Sequence, residues 1–263
     1  LRDDLDLSPQ HQRQLFERMR QEARASARVS HPNIVALFDM GEDERWGLYL
    51  VFEYVLGETL KERILAGRMS HAEVARLACE LGEALSTAHA AGVLHRDIKP
   101  DNVILAPTGA KIADFGIARL PESTLTRDGR LLGTPAYSSP ESISHGVFSA
   151  ASDQFSMAAT LYEALSQSRA FPGDDAVRVA TLITTTEAQP IAERCGLGPD
   201  IDDIFRKAMQ MDPSTRFGSC ADFGHALAAA LEGERSEVPA TGRREPGSVA
   251  PTSRERDVGN RTL

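Results

Sequence analysis

Four polar residues near the middle of the chain have the types and spacing that phosphoryl transfer requires. Asp97, Lys99 and Asn102 lie in the segment HRDIKPDN (95–102), and Asp114 follows Asn102 by twelve residues. Such a transfer needs a base that aligns the attacking hydroxyl, oxygen ligands for magnesium, and positive charge beside the phosphate oxygens. Asp97 fits the role of the base, and Lys99 fits the role of the positive charge. Asn102 and Asp114 suit the metal ligands, so the segment is typical of a catalytic loop.

Each motif alone also has a structural explanation. A single Asp before a turn with Pro is common in loops, and Asp114-Phe115-Gly116 alone is typical of a tight turn in which Gly supplies a positive φ. The two motifs occur in order, however, and each follows an apolar segment, 92–94 and 111–113. This combination favours function.

The motifs HRDIKPDN (95–102), DFG (114–116) and SPE (139–141) resemble those of the eukaryotic-like serine/threonine protein kinases of bacteria. The resemblance extends from about Leu1 to about Leu231. It implies an α+β, two-lobed protein-kinase-like fold and transfer of the ATP γ-phosphate, with Mg²⁺, to protein Ser/Thr hydroxyls. In the family, Lys99 accompanies serine and threonine acceptors. The long segment between the DFG and SPE motifs favours a protein substrate over the small molecules of aminoglycoside phosphotransferases.

The resemblance also implies a nucleotide site. Phe52 is expected to be the gatekeeper, and residues 53–55 the hinge whose backbone meets adenine, with Ile104 beneath the ring. The expected catalytic residues are Asp97 and Lys99, and the expected metal ligands are Asn102 and Asp114. The full expected nucleotide-binding set is Glu53, Val55, Lys99, Asn102, Ile104 and Asp114.

Glu22 lies among the apolar positions of a helix predicted over 9–29, where a carboxylate is costly unless paired. In the family this Glu pairs with the lysine that holds the α- and β-phosphates. The alternative is a solvated surface Glu. Arg96 is expected to hold a phosphate on the activation segment, at Thr126 or otherwise Thr124; ordinary loop threonines are the alternative.

Further family contacts are expected around the loop. His95 should pack on the Phe of DFG in a column with Ser26 and Leu37, with Asp153 holding the loop backbone. Glu141 and Arg216 should form an internal ion pair, with two separate surface charges as the alternative. We expect His89 to lie on a helix surface.

Apolar patterns divide the chain into three parts. Residues 1–54 hold one helix and two strands, 33–38 and 47–52, joined by a turn at 41–44, which is what remains of a kinase N-lobe and hinge. Residues 55–231 form a mainly helical C-lobe, with helices predicted over 72–90, 152–165, 200–211 and 220–231. Residues 232–263 have almost no large apolar side chains and are predicted to be a disordered tail.

Composition excludes several classes of protein. The net charge of −9 argues against binding to nucleic acid or an anionic membrane. The sequence has no apolar run of about 18 residues that would span a bilayer. Cys79, Cys195 and Cys220 lack the paired spacing of a zinc site. These features favour a cytoplasmic enzyme, and the family suggests a kinase dimer for trans-autophosphorylation.

The 263 residues contain neither a Gly-rich loop nor a V-A-I-K lysine strand. We interpret the chain, which begins at Leu1, as an N-terminally incomplete kinase. The alternative is a catalytically impaired, pseudokinase-like binding or regulatory module. A scaffold without nucleotide binding is disfavoured because Asp97, Lys99, Asn102 and Asp114 are all present. No residue remains to neutralise the α- and β-phosphates of ATP or to pair with Glu22. We therefore expect little kinase activity from this chain.

Overall fold

The computed structural model of the chain describes residues 9–43, 45, 47–67, 69–115 and 135–233. The helices are α1 (Pro9–Ser26), α2 (Leu60–Ala66), α3 (His71–Ala90), α4 (Pro140–His145), α5 (Ala150–Ser166), α6 (Ala176–Thr185), α7 (Ala192–Cys195), α8 (Asp200–Ala208) and α9 (Cys220–Gly233). The strands are β1 (Leu37–Asp43), β2 (Gly47–Phe52), β3 (Glu58–Thr59), β4 (Val103–Ala106) and β5 (Gly109–Ile112). Short 3-10 turns occupy Pro100–Asn102 and Pro213–Thr215.

Before the hinge, the described residues form one helix and an antiparallel pair, β1 and β2. The predicted first strand, 33–38, is wrong in position, because β1 starts at Leu37 and runs through much of the predicted turn. The reason is a competing partner for residues 33–35. The Val35 N–H donates to the Ile112 carbonyl at 2.9 Å, and the Ile112 N–H donates to the Asn33 carbonyl at 2.8 Å. This backbone is therefore held against β5 and is not available to β2.

A second, antiparallel sheet has the order β3-β4-β5 and lies at the start of the helical part. Two capping boxes begin the helices beside it: Thr59 with Glu62 for α2, and Ser70 with Glu73 for α3. In each box the hydroxyl accepts from a helix N–H and the Glu side chain accepts from the cap N–H. The side-chain and backbone hydrogen bonds from Ser70 lower the pKa of Glu73 to about 2. These caps fix where the helices below the loop begin.

The core is built around α3, α5 and α9. Helix α5 is buried from Ser152 to Ser166, and α3 buries one face that includes Val74, Leu81 and Leu85. Helices α3 and α9 approach closely through glycine, because a Cβ on Gly224 would lie 2.3 Å from the Ala78 carbonyl oxygen. Close-packed helices of this kind give the catalytic loop a rigid base.

The predicted helices agree with the structure to within three residues at each end. The largest differences are at the ends of α1, which ends at Ser26 where the prediction reached 29, and of α8, which ends at Ala208 where it reached 211. The predicted disordered tail, 232–263, lies outside the described residues apart from Glu232 and Gly233, which complete α9. Thr124 and Thr126 also lie outside them. Within the described ranges, no helix combines the length and apolar character needed to cross a bilayer.

Candidate active site

The backbone of the catalytic loop is held by one buried carboxylate. Asp153, at the start of α5, is 1% exposed. It accepts hydrogen bonds from the His95 N–H at 2.8 Å and the Arg96 N–H at 2.7 Å. Arg96 has a φ of 68°, a left-handed conformation that costs free energy for a residue with a side chain. The expected role of Asp153 is therefore visible in the geometry, since these bonds hold the strained turn.

His89 of α3 lies 2.8 Å from the same carboxylate, through its Nε2. Its side chain is only 11% exposed, so the prediction that it lies on a helix surface is wrong. The helical pattern of α3 placed His89 at the edge of the buried face. Its acceptor is 64 residues further along the chain, which no local pattern reveals.

His95 connects the loop to the DFG segment. Its Nε2 lies 2.8 Å from the Ala113 carbonyl, and its Nδ1 accepts from the Asp97 N–H at 3.2 Å. Both bonds together require a neutral ring with the proton on Nε2. Burial lowers the pKa of His95, which favours that neutral form. The ring also meets Phe115 edge-on, with centroids 4.7 Å apart. His95 thus orients both Asp97 and the residue before Asp114.

Three predicted site residues are joined directly by hydrogen bonds. The Asp97 Oδ2 accepts from the Lys99 Nζ at 2.7 Å and from the Asn102 Nδ2 at 3.2 Å. The Asn102 Nδ2 also donates to the Asp97 carbonyl at 2.8 Å. These bonds hold an ionised carboxylate beside a cation in the loop. A carboxylate so placed can orient a hydroxyl and accept its proton as it attacks.

Asn102 and Asp114 lie on adjoining backbone segments, because the Ala113 N–H donates to the Asn102 carbonyl at 2.9 Å. The amide nitrogen of Asn102 is used on Asp97, so its oxygen is the group left for a metal. Asp114 is exposed and has a φ of 59°. No group of three or more His, Cys, Asp or Glu ligands occurs in the described part of the chain. One amide and one carboxylate oxygen fit Mg²⁺, which takes few protein ligands and completes its shell with phosphates and water.

The expected hinge residue Glu53 is tied to the second sheet. Its carboxylate pairs with the Lys111 Nζ at 2.9 Å, and its N–H donates to the Ala36 carbonyl at 2.8 Å. The pKa of Glu53 is lowered, mainly by the hydrogen bond from Lys111. Lys111 is the strand partner of Ile104. The structure therefore brings Glu53 and Ile104 into one region, while Val55 and Phe52 are half-buried on either side of Glu53.

Glu22 has a partner that the sequence did not indicate. Its Oε1 lies 2.8 Å from the Arg96 Nη1, and the two side chains are 29% and 27% exposed. The expectation that nothing in this chain could pair with Glu22 is therefore wrong. The Arg96 Nε is buried and has no hydrogen-bond partner among the described residues. Arg96, predicted to hold a phosphate, is bound to a carboxylate of α1 in this structure.

Glu141 and Arg216 form the internal ion pair that was expected. The Arg216 Nη1 and Nη2 donate to the two carboxylate oxygens, both at 2.8 Å. Arg216 also donates to the Gln210 and Ala151 carbonyls. Burial alone would raise the pKa of Glu141, but the hydrogen bonds and charge of Arg216 outweigh it and lower that pKa. The end of the segment after DFG is thereby connected to α5 and to the segment between α8 and α9.

Sequence reasoning missed a polar cluster beside the loop. The buried Glu163 of α5 pairs with the Lys61 Nζ at 2.9 Å and accepts a hydrogen bond from the Tyr137 hydroxyl. Lys61 and Glu163 are 102 residues apart, so only the fold brings them together. The one local signal in the sequence was the position of Tyr137, which lies two residues after Pro135 and shortly before the SPE motif. A cavity of about 270 Å³ adjoins this cluster and includes Asp97 and Lys99 in its wall.

Comparison with known proteins agrees with this geometry. The family model described as protein kinase domain matches residues 5–228. Serine/threonine-protein kinase PknA of Mycobacterium tuberculosis (strain ATCC 25618 / H37Rv) is 35% identical over 258 residues, covering 94% of this chain and 59% of PknA. Serine/threonine-protein kinase pkn3 of Myxococcus xanthus is 34% identical over 248 residues, covering 89% of this chain and 45% of pkn3. The chain thus spans less than two thirds of the length of these relatives.

A solved structure gives the same result for the fold. The crystal structure of the Mycobacterium tuberculosis PknI kinase domain superposes with a TM-score of 0.65 at 27% identity, covering 84% of this chain and 81% of that one. This confirms the predicted α+β kinase fold with a mainly helical second part. The chain therefore belongs to the protein kinase domain family, and the relatives reported above are serine/threonine-protein kinases of bacteria.

Proposed function

We propose that this chain carries the catalytic half of a serine/threonine protein kinase, which transfers the γ-phosphoryl group of ATP to protein hydroxyls. The observation that supports this most is the hydrogen-bonded group of Asp97, Lys99 and Asn102. A carboxylate, a cation and an amide joined in one loop support the roles of base, positive charge and metal ligand that phosphoryl transfer requires. The proposal includes protein substrates, a cytoplasmic location and a second kinase chain for trans-autophosphorylation.

In this proposal Asp97 orients the acceptor hydroxyl and takes its proton. Lys99, 2.7 Å from Asp97, offsets negative charge on the transferred group. The oxygens of Asn102 and Asp114 would hold Mg²⁺, which supplies positive charge to the phosphates when bound. The backbone at Glu53 and Val55 would bind adenine, with Ile104 beneath it. Because the loop is fixed by Asp153 and His95, these groups need little rearrangement before reaction.

A binding or regulatory module is the second candidate. It is favoured by Glu22, which pairs with Arg96 where the family uses a phosphate-binding lysine. A chain with that arrangement would bind a partner through the kinase fold and transfer phosphate poorly. The two candidates share the fold and differ in turnover.

The test uses an extended chain, in which a Gly-rich loop and a lysine strand typical of the kinase family precede the 263 residues. We expect it to incorporate phosphate from Mg²⁺-ATP into serine and threonine of casein, read by phosphoamino-acid analysis. The matched control is the same chain with Asp97→Asn, which should incorporate almost none. If the extended chain binds Mg²⁺-ATP, measured by calorimetry, and still transfers nothing, the regulatory module becomes the better account.

A further inference from the structure

The cavity beside Asp97 has an excess of positive charge in its wall. Four cations and two carboxylates line it, so the charged lining residues carry a net charge of +2. The charged lining residues are Lys61, Arg96, Lys99, Arg169, Asp97 and Asp101. Because a cleft with low-dielectric walls concentrates the field of its charges, this wall attracts anionic groups.

Three of the four cations already have carboxylate partners. Lys99 pairs with Asp97 inside the cavity, Lys61 with the buried Glu163, and Arg96 with Glu22. Each cation is neutralised locally and has limited attraction left for an incoming group.

Arg169, just after α5, differs from these three. No carboxylate lies within ion-pair distance of it among the residues that the structure describes. It is half-buried, and its positive charge acts to lower the pKa of the nearby Tyr137 hydroxyl. A guanidinium has five N–H donors, so Arg169 has donors for a further acceptor.

Tyr137 lines the same cavity as Arg169 and adds no negative charge beside it. Burial, followed by the hydrogen bond to Glu163, raises the pKa of Tyr137 well above its ordinary value. The hydroxyl therefore keeps its proton and donates it in the hydrogen bond to Glu163. Since Lys61 neutralises Glu163 from the other side, that carboxylate does not cancel the charge of Arg169.

Asp101, the remaining charge, is exposed at the rim of the cavity. Water and salt weaken the effect of an exposed charge much more than that of a half-buried one. Arg169 therefore dominates the selectivity of the cavity.

We propose that Arg169 binds an acidic side chain, Asp or Glu, that flanks the acceptor hydroxyl in the protein substrate. This inference rests on the proposed kinase function, because the cavity receives a substrate only if Asp97 acts on one. Arg169 is a specificity residue in this proposal and takes no part in proton or phosphoryl transfer.

The test measures binding of labelled peptides to the 263-residue protein by fluorescence anisotropy. The peptides share one serine acceptor and carry Asp, or the isosteric Asn, at each flanking position in turn. A half-buried charge-assisted hydrogen bond should make the best Asp peptide bind about tenfold more tightly than its Asn counterpart. The preference should shrink as the salt concentration rises.

Variants assign the preference to a residue. Arg169→Gln should abolish it, and Arg169→Lys, which keeps the charge, should restore part of it. Arg178→Gln removes an exposed arginine outside the cavity wall and should leave the preference unchanged. Thermal unfolding of each variant checks that it is folded.

Equal affinity of the wild-type protein for every Asp and Asn pair overturns the proposal without reference to any variant. So does a preference that survives in Arg169→Gln, or a failure of all peptides to bind. Failure of the kinase function itself shows separately, as absence of phosphate incorporation by the extended chain. Incorporation without acid preference would reject this inference alone.

Discussion

Two ion pairs with the same N···O separation, 2.8 Å, distinguish the two parts of this molecule. In the helical part, the side chain of Arg216 is fully buried and that of Glu141 is 13% exposed. In the first part, Glu22 of α1 and Arg96 are each more than a quarter exposed. Distance alone would rate the pairs as equal. Because Arg216 is buried and has additional partners, its pair with Glu141 is a structural ion pair. The more exposed pair of Glu22 with Arg96 is an exchangeable contact.

The same difference extends to the surroundings of the two pairs. The catalytic loop is held by buried hydrogen bonds to Asp153 and His95, and its chemistry is fixed by the fold. The described residues of the first part form one helix and two strands, and Glu22 of that helix pairs with Arg96 of the loop. We infer that the groups for γ-phosphoryl transfer are preorganised, whereas those for the rest of the nucleotide are not.

The largest effect should come from the loop itself. Asp97→Asn in the extended chain should lower kcat by about a thousandfold, because the amide cannot accept the hydroxyl proton. ATP affinity should stay nearly the same, since Asp97 meets the acceptor and not the nucleotide. Steady-state kinetics with casein and calorimetry with ATP measure the two quantities. Asp174→Asn, at an exposed position, is the control; near-normal turnover of Asp97→Asn would reject the role.

The buried pair should dominate stability. Glu141→Gln leaves the Arg216 charge buried and unpaired, so the free energy of unfolding should fall by about 3 kcal/mol. Urea unfolding followed by circular dichroism gives the value. Glu187→Gln, at an exposed position, should change it by less than about 0.5 kcal/mol. A loss of similar size in Glu141→Gln and Glu187→Gln would mean that burial does not make the Glu141–Arg216 pair more stabilising than an exposed pair.

The pH dependence of the same pair follows from the lowered pKa of Glu141. The unfolded carboxyl titrates near 4.5 and the folded one lower, so the contribution is complete above that pH. It is lost as the pH falls through the folded pKa. The stability difference between wild type and Glu141→Gln should therefore be constant above about pH 5 and shrink below pH 4. A difference that persists unchanged at pH 3 would contradict the pairing.

The smallest effect should come from the exposed pair. Glu22→Gln should lower the free energy of unfolding by less than about 0.5 kcal/mol, because both groups keep partial access to water. The variant also frees Arg96, so binding of a phosphothreonine peptide to the chain should strengthen if Glu22 competes for that guanidinium. Anisotropy titrations of wild type and variant compare the two affinities. A loss of stability as large as that of Glu141→Gln would remove the contrast between the two parts.

The sequence was informative wherever the signal was local or carried by a motif. Helices α3, α5 and α9 follow from apolar spacing, and the contact of Asp153 with the loop backbone follows from the family resemblance. Prediction failed where the decisive partner is distant in the chain. The strand start at Leu37 depends on Ile112, and the burial of His89 on Asp153.

The partners of Arg96 and Glu163 were missed for the same reason. Arg96 pairs with a residue 74 positions earlier, and Glu163 with one 102 positions earlier. A charged side chain has many candidate partners at such separations, and only packing selects one. The Glu141 and Arg216 pair was predicted because the family resemblance supplied the long-range information that the residues alone do not carry.

The most direct test of the contrast compares phosphate transfer by the 263-residue chain with that by the extended chain. Both proteins are given the same Mg²⁺, ATP and casein, and incorporation is followed over time. If the loop is preorganised and only the α- and β-phosphate contacts are missing, the extended chain should be faster by about two orders of magnitude or more. Equal incorporation by the two proteins would contradict this account and would indicate transfer that does not depend on a phosphate-binding lysine.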